Sequence, residues 1–350
     1  MPERALSWEQ LHRALLARQL LLERAPLTPE QAVERVGGLQ TQYAPSAYIG
    51  LWSRLSGFRR ADLTDALLRR RIVQAWVMRS TIHMVSAADF GPLSDAVREQ
   101  RRRLHLRSDP AAADLDIDGA TDLVRDLLAR GPLRQAEIVE ALVAAGHPKA
   151  AFAAVQLWLD LVRVPPAGTW ERPRAHVYGL AATWLRRRAP VDLAGAEERL
   201  VVRYLRGFGP AVPGDIARYA GWTITETRAV LDRLTVRRFR DPDGHPLLDV
   251  PRAPIPDADV PVPVRFLGQF DALLLLGHTT RARILAAEHR EKVFGTPQSV
   301  PTFLVDGRVA GTWRWTGEEV ELAPFAPLRP ADRNAVDAEA HRLAAFHRDG

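Results

Sequence analysis

The chain has 350 residues, enough for two or three small domains with a sizeable core, and it contains no cysteine. The missing thiols exclude disulfides, cysteine-held iron–sulfur clusters and thiolate-bound zinc. The formal charge of +6 rests on arginine, because Lys149 and Lys292 are the only lysines. A bidentate, weakly hydrated guanidinium suits phosphate, although a GC-rich genome produces the same bias.

The first residues carry charges every few positions, so no signal-peptide core is expected. No apolar run approaches the roughly 18 residues of a membrane span. A cytoplasmic protein that leaves the membrane alone is the expectation.

From Leu11 an apolar-periodic helix runs to a corner at Ala25-Pro26. Thr28, Pro29 and Gln31 then read as an N-cap, a first-turn proline and a capping-box partner. That second helix stops at Gly37-Gly38, and the segment Leu39-Gln40-Thr41-Gln42 follows. A further helix over residues 61–70 leads into an alternating, β-branched stretch over 72–85.

The same plan returns twice. Residues 121–130 form a helix that turns at Gly131-Pro132 into a helix marked by Ile138, Leu142 and Val143. Residues 149–162 add a third helix, and 162–180 read as a strand, a Pro/Gly loop and a returning strand. The third copy turns at Gly209-Pro210, continues through Ile216, Tyr219 and Ala220, and ends in a hairpin with Asp243-Gly244 at its turn.

Helix, helix, helix, hairpin is the winged-helix plan. From about residue 262 the pattern changes. The stretch 270–277 and the stretch 301–315 read as strands, with tight turns at Asp306-Gly307 and Thr316-Gly317, before an amphipathic terminal helix. The expected fold is therefore α+β, mainly α: three tandem winged-helix units over 1–110, 111–190 and 191–260. A β-rich lobe over 261–350 is expected to pack on the last of them.

No GxSxG elbow, P-loop or dinucleotide glycine turn is present. His341 and His347 lack a third metal ligand and read as a solvated helix face, so neither metal nor cofactor is expected. The segment Gln40-Thr41-Gln42 stands out. Glycines before it and Pro45 after it favour extended backbone, which places both carboxamides on one side. Two carboxamides facing one cleft can orient water and bond a nucleobase.

Glutamine does not titrate, so such a site suits a leaving group already activated, as a cationic alkylated purine is. Turn residues satisfying backbone groups are the commoner explanation of such a pair.

The blocks LQTQYAPSAYIGLWSRL, MRSTIHMVSAADF, VRVPPAGTWERPRAHVY, RFLGQFDALLLLGH and PTFLVDGRVAGTWRW resemble, in order, those of the winged-helix DNA glycosylases of the AlkZ/YcaQ-like family. The resemblance spans nearly the whole chain. It implies a C-shaped DNA-binding channel and a catalytic motif of Gln, an aliphatic residue, then Gln or Asp. Gln40 and Gln42 match the two functional positions, and Gln42 resembles the branch linked to unhooking interstrand crosslinks. Thr41 departs from the aliphatic pattern.

Other candidates are weighed beside this pair. His83 is expected to face the same cleft or to be a buried strand histidine, and Arg79 to contact the DNA backbone or cap a helix. Trp170, beside Thr169 in the second hairpin's loop, either enters DNA or packs between units. Arg237, Arg238 and Arg240 open the third wing as candidate phosphate contacts or as solvated residues. Trp313 and Trp315 read as core with Arg314 directed outward. The arginine runs at 69–71, 101–103 and 186–188 read as solvated helix faces.

The expected function is a monomeric, monofunctional glycosylase that acts on double-stranded DNA bearing an alkylated purine. The alternative is a non-catalytic DNA-binding protein or transcription regulator.

Overall fold

The computed structural model describes residues 3–185, 191–275, 279–295 and 299–349. The arginine run at 186–188 lies outside them. Three helices and a hairpin do recur along the chain. The first set is Trp8–Arg18, Pro29–Val36 and Arg60–Leu68 with strands Ile72–Trp76 and Ile82–Ser86. The second is Ile117–Ala129, Gln135–Ala144 and Ala151–Trp158 with strands Leu161–Arg163 and Val177–Leu180. The third is Leu193–Phe208, Pro213–Ala220 and Ile224–Leu231 with strands Arg237–Arg240 and Pro246–Asp249.

Local chemistry fixes the helix ends. Thr28 and Gln31 form the reciprocal capping box, Pro29 occupies the first turn, and Gly37 closes the helix at φ 81° in the left-handed region. The first set also carries an insertion, the helix Ala44–Arg54.

The hairpins do not stand alone. Those of the first and second sets join edge to edge, Gln74 and Ala75 pairing with Arg163 and Val162. With Leu39–Gln40 at one edge and Leu133–Arg134 at the other they make a six-stranded sheet. The third hairpin is flanked instead by the N-terminal strand Arg4–Ala5, which runs parallel to Arg237–Arg240. The first helix is tied to this hairpin by a fully buried ion pair, Arg18 to Asp249 at 2.7 and 2.8 Å.

The C-terminal lobe differs from expectation in two ways. Its strands Arg265–Leu267, Thr302–Val305, Arg308–Trp315 and Val320–Pro324 form an antiparallel sheet, but Ala272–Leu275 is helical rather than a strand. A short apolar run has no diagnostic period. Here Asp271 decides it, accepting the Leu273 N–H at 3.0 Å as a cap and pairing with Arg54 at 2.9 Å.

The sheet and the terminal helix Pro330–Arg348 also pack on the first set, not mainly on the third. Phe266, Phe303, Trp313, Leu343 and Phe346 share a core with Val33, Tyr48 and Trp52. Contact with the third set includes Thr279, whose N–H and hydroxyl both donate to Asp215, and a second core in which Leu274 and Leu285 join Tyr204 and Tyr219.

Candidate active site

Gly37 and Gly38 end one helix and Ala44–Arg54 begins the next, so residues 39–43 bridge two fixed points, first as the strand Leu39–Gln40 and then as a bend at 42–43. Leu39 and Gln40 pair with Met84 and His83. Directly opposed residues project to the same face, so Gln40 and His83 are neighbours there. The Thr41 N–H still donates to the Ile82 carbonyl at 2.8 Å. Beyond it the ladder stops, and Gln42 Oε1 accepts the Ile82 N–H at 3.3 Å in place of a backbone carbonyl.

The two carboxamides therefore do not face one cleft. Gln40 is only 9% exposed, and its Oε1 accepts a 2.7 Å hydrogen bond from Arg79 Nη2. Gln42 is exposed and lines a cleft of about 730 Å³. The difference arises where pairing ends: Gln40 is held in the ladder, whereas Gln42 lies past its last backbone rung. Thr41 between them is fully buried, and its hydroxyl has no hydrogen-bond partner among the described residues. An aliphatic side chain would suit that position.

The cleft has an aromatic wall. Trp315 and His347 stack at 4.5 Å with planes 12° apart, and Trp170 meets His347 at 5.1 Å. Burial, reinforced by nearby Arg60, holds the His347 imidazole down to about 4, so it is neutral at physiological pH. Tyr43, Arg174, His176 and Arg314 also line the cleft.

Several sequence expectations change here. His83 is buried behind the cleft and does not line it. Its Nδ1 donates to the Thr81 carbonyl at 3.0 Å, and burial together with Arg79 pushes its pKa down to about 3. It is a neutral strand histidine. Arg79 caps no helix: it sits at φ 53° in the turn between the first hairpin's strands, bonded to Gln40 and facing the Tyr219 ring at 6.0 Å.

Thr169 is buried with its hydroxyl donating to the Pro166 carbonyl at 2.9 Å. Trp170 packs between units, edge-on to Tyr48 and Phe346 with Arg60 over its ring. In the third hairpin Arg237 is committed to Asp249 and the Ala253 carbonyl, both at 2.8 Å. Arg240 pairs with Glu3 at 3.2 Å, while Arg238 is exposed with no ion pair among the described residues. Arg314 reaches the cleft as an exposed side chain and pairs with Glu321.

His347 is not on a solvated face, and Trp315 packs against the core while also walling the cleft. Arg101 is also buried, donating to the Trp76 carbonyl and to Ser94 Oγ. Asp241, Asp243 and His245 cluster at the third hairpin's turn, where Asp241 accepts from the backbone of both others and from the His245 ring.

Reading the sequence singles out neither Tyr43 nor His176. Tyr43 follows Gln42 directly, and that adjacency was the available signal. His176 had none, because only the folded hairpin brings its loop to the Gln-bearing edge.

A cleft with aromatic walls, a glutamine at its rim and Arg174 and Arg314 beside it has the shape and chemistry to take a planar group. The chain belongs to the AlkZ-like DNA glycosylase family, whose model matches residues 33–346. It is accordingly a DNA glycosylase. The interstrand DNA cross-link repair glycosylase of Streptomyces sahachiroi is 24% identical, the match covering 97% of this chain and 96% of that protein. The solved structure of the Streptomyces sahachiroi DNA glycosylase AlkZ superposes with a TM-score of 0.81 at 20% identity. It covers 97% of this chain and 96% of the other.

Proposed function

We propose that the chain hydrolyses the N-glycosidic bond of alkylated purines in duplex DNA, of the N7-alkylguanine type, and unhooks interstrand crosslinks through the same bond. The observation that carries this reading is Gln42, exposed at the rim of the aromatic cleft while Gln40 is anchored behind it. The name of the Streptomyces sahachiroi relative supports the crosslink substrate.

The alkylated base is cationic and departs with the bonding electrons as a neutral purine. Water adds its oxygen to C1′ and releases a proton to solvent, leaving an abasic site. Gln42 Nε2 is free of protein partners among the described residues, and the role assigned to the carboxamide is to place that water. Gln40, held by Arg79, keeps the strand in position. No lysine lines the cleft, which favours a monofunctional hydrolase over a Schiff-base lyase.

The three helix–helix–helix–hairpin sets are read as winged-helix units over 1–110, 111–190 and 191–260, with the lobe over 261–350. Together they would bound a C-shaped channel that clamps one duplex, the protein acting as a monomer on the nucleoid in the cytoplasm. Arg79, Arg237, Arg240 and Arg314 are occupied by protein partners, so among the sequence candidates Arg238 is assigned to DNA phosphate.

The test is incubation with duplexes bearing N7-methylguanine or a nitrogen-mustard crosslink, scored as alkali-labile strand breaks. Enzyme-dependent breaks at the lesion are expected. DNA binding without release from either substrate would contradict the reading.

A further inference from the structure

Arg163 lies inside the joined sheet at 2% exposure and pairs with no carboxylate among the described residues. A guanidinium buried without a counter-ion is costly, so its neighbours define what holds it there. Its Nη2 meets His176 Nδ1 at 2.9 Å and its Nη1 meets Gln74 Oε1 at 3.4 Å. Gln74, fully buried on the first hairpin, is itself fixed by donating from Nε2 to the Gly168 carbonyl at 2.7 Å.

Gly168 sits at φ +76°, and a Cβ there would fall 2.4 Å from Arg163 Cδ and 2.7 Å from Gln74 Oε1. Only glycine permits this close approach. The far end of the relay, His176, stands at the cleft with Gln42.

A guanidinium has donors and no acceptor. His176 Nδ1 must therefore accept, and the neutral ring carries its proton on Nε2. Burial and the positive charge of Arg163 both lower the pKa of this imidazole. The ring also rests on Tyr178, its plane 17° away.

We propose that His176, through Nε2–H, donates a hydrogen bond to the departing purine, and that Arg163 is the residue that positions it. This rests on the glycosylase reading above. A cationic alkylated base would be repelled by an imidazolium, whereas a neutral donor carries no such penalty. As the C1′–N9 bond breaks, its electron pair enters the purine, and the acceptor atoms of the base become more basic. A fixed donor then binds the transition state more tightly than the ground state. No proton is transferred: Nε2 keeps its hydrogen, and the proton of hydrolysis leaves with the attacking water.

The test is single-turnover excision from an N7-methylguanine duplex at saturating enzyme, with binding to undamaged duplex measured in parallel. Loss of a neutral hydrogen bond predicts a roughly tenfold slower His176→Phe variant with unchanged duplex affinity, and His176→Gln, which retains a donor, within about twofold of wild type. Wild-type excision in the same series separates this proposal from the glycosylase reading itself.

A His176→Phe variant as fast as wild type would overturn the assignment. So would a loss confined to duplex affinity, which would mark a phosphate contact. Nitrogen NMR of histidine-labelled protein gives a second readout that needs no excision. The Nε2–H tautomer is expected for His176 at neutral pH, and an Nδ1–H tautomer would contradict the relay.

Discussion

The first and third hairpins come from the same repeated pattern and serve opposite ends. In the first, the strands are almost wholly buried and both edges are bonded, by the Gln-bearing strand on one side and the second hairpin on the other. In the third, exposure alternates, with Phe239 inside and Arg238 and Arg240 outside. The strand Arg237–Arg240 is paired on both sides, with Arg4–Ala5 and Pro246–Asp249, so the difference lies in the faces and not in the edges. Both faces of the first hairpin are covered, so side chains such as Gln40 and Gln74 are held by neighbours rather than by solvent. A repeated unit thus becomes a site where both of its faces are covered and a charged surface where one face meets solvent.

That contrast breaks most sharply at Gln40. Gln40→Leu leaves the Arg79 guanidinium without its 2.7 Å partner and should cost about 1–3 kcal/mol of stability, read by chemical denaturation. An unchanged midpoint would mean that Arg79 finds another partner at no cost.

Acid should also act on the first hairpin. An unfolded chain protonates His83 near 6.5, whereas the folded chain resists until about 3. The folded state binds fewer protons in that window, so stability is complete above pH 6.5 and falls as the pH drops toward 3. His347, held near 4, adds to the same limb. Denaturation midpoints from pH 7 to 4.5 should fall for wild type and fall less steeply for His83→Phe. Parallel curves would refute the assignment of His83 as a contributor.

Thr41→Val should raise stability by about 1 kcal/mol, because it removes a buried hydroxyl that has no partner among the described residues. A destabilised variant would show that the hydroxyl is bonded. The smallest effect belongs to the third hairpin. Arg238→Ala should leave stability unchanged, weaken duplex binding a few-fold and reduce the salt slope of binding by about 1. Arg237→Ala should instead lower stability, since Arg237 is bonded to Asp249.

The repeat was legible in the sequence because its signals are local: Thr28, Pro29 and Gln31 at a helix start, Asp243-Gly244 at a turn, and helical spacing between. The joining of two hairpins into one sheet was not legible. Strand pairing between units leaves no mark in either strand's own pattern, and Gln74 against Arg163 is a contact between residues 89 positions apart.

The same limit applies to the site. Gln40 and Gln42 stood out by residue type and spacing, but their unequal exposure depends on where the ladder with residues 82–84 ends. His347 looked like a surface histidine because its partner Trp315 lies on another element. The apolar run at 272–275 misled for a different reason: Asp271 caps it into a helix only because Arg54 holds that carboxylate.

Gln42, at the cleft rim, is proposed to carry the chemistry that the buried Gln40 only supports. The decisive measurement is single-turnover excision of N7-methylguanine by Gln42→Ala, with enzyme saturating. A rate reduced by about a hundredfold or more is expected, with binding to undamaged duplex retained. A Gln42→Ala rate close to wild type would contradict it.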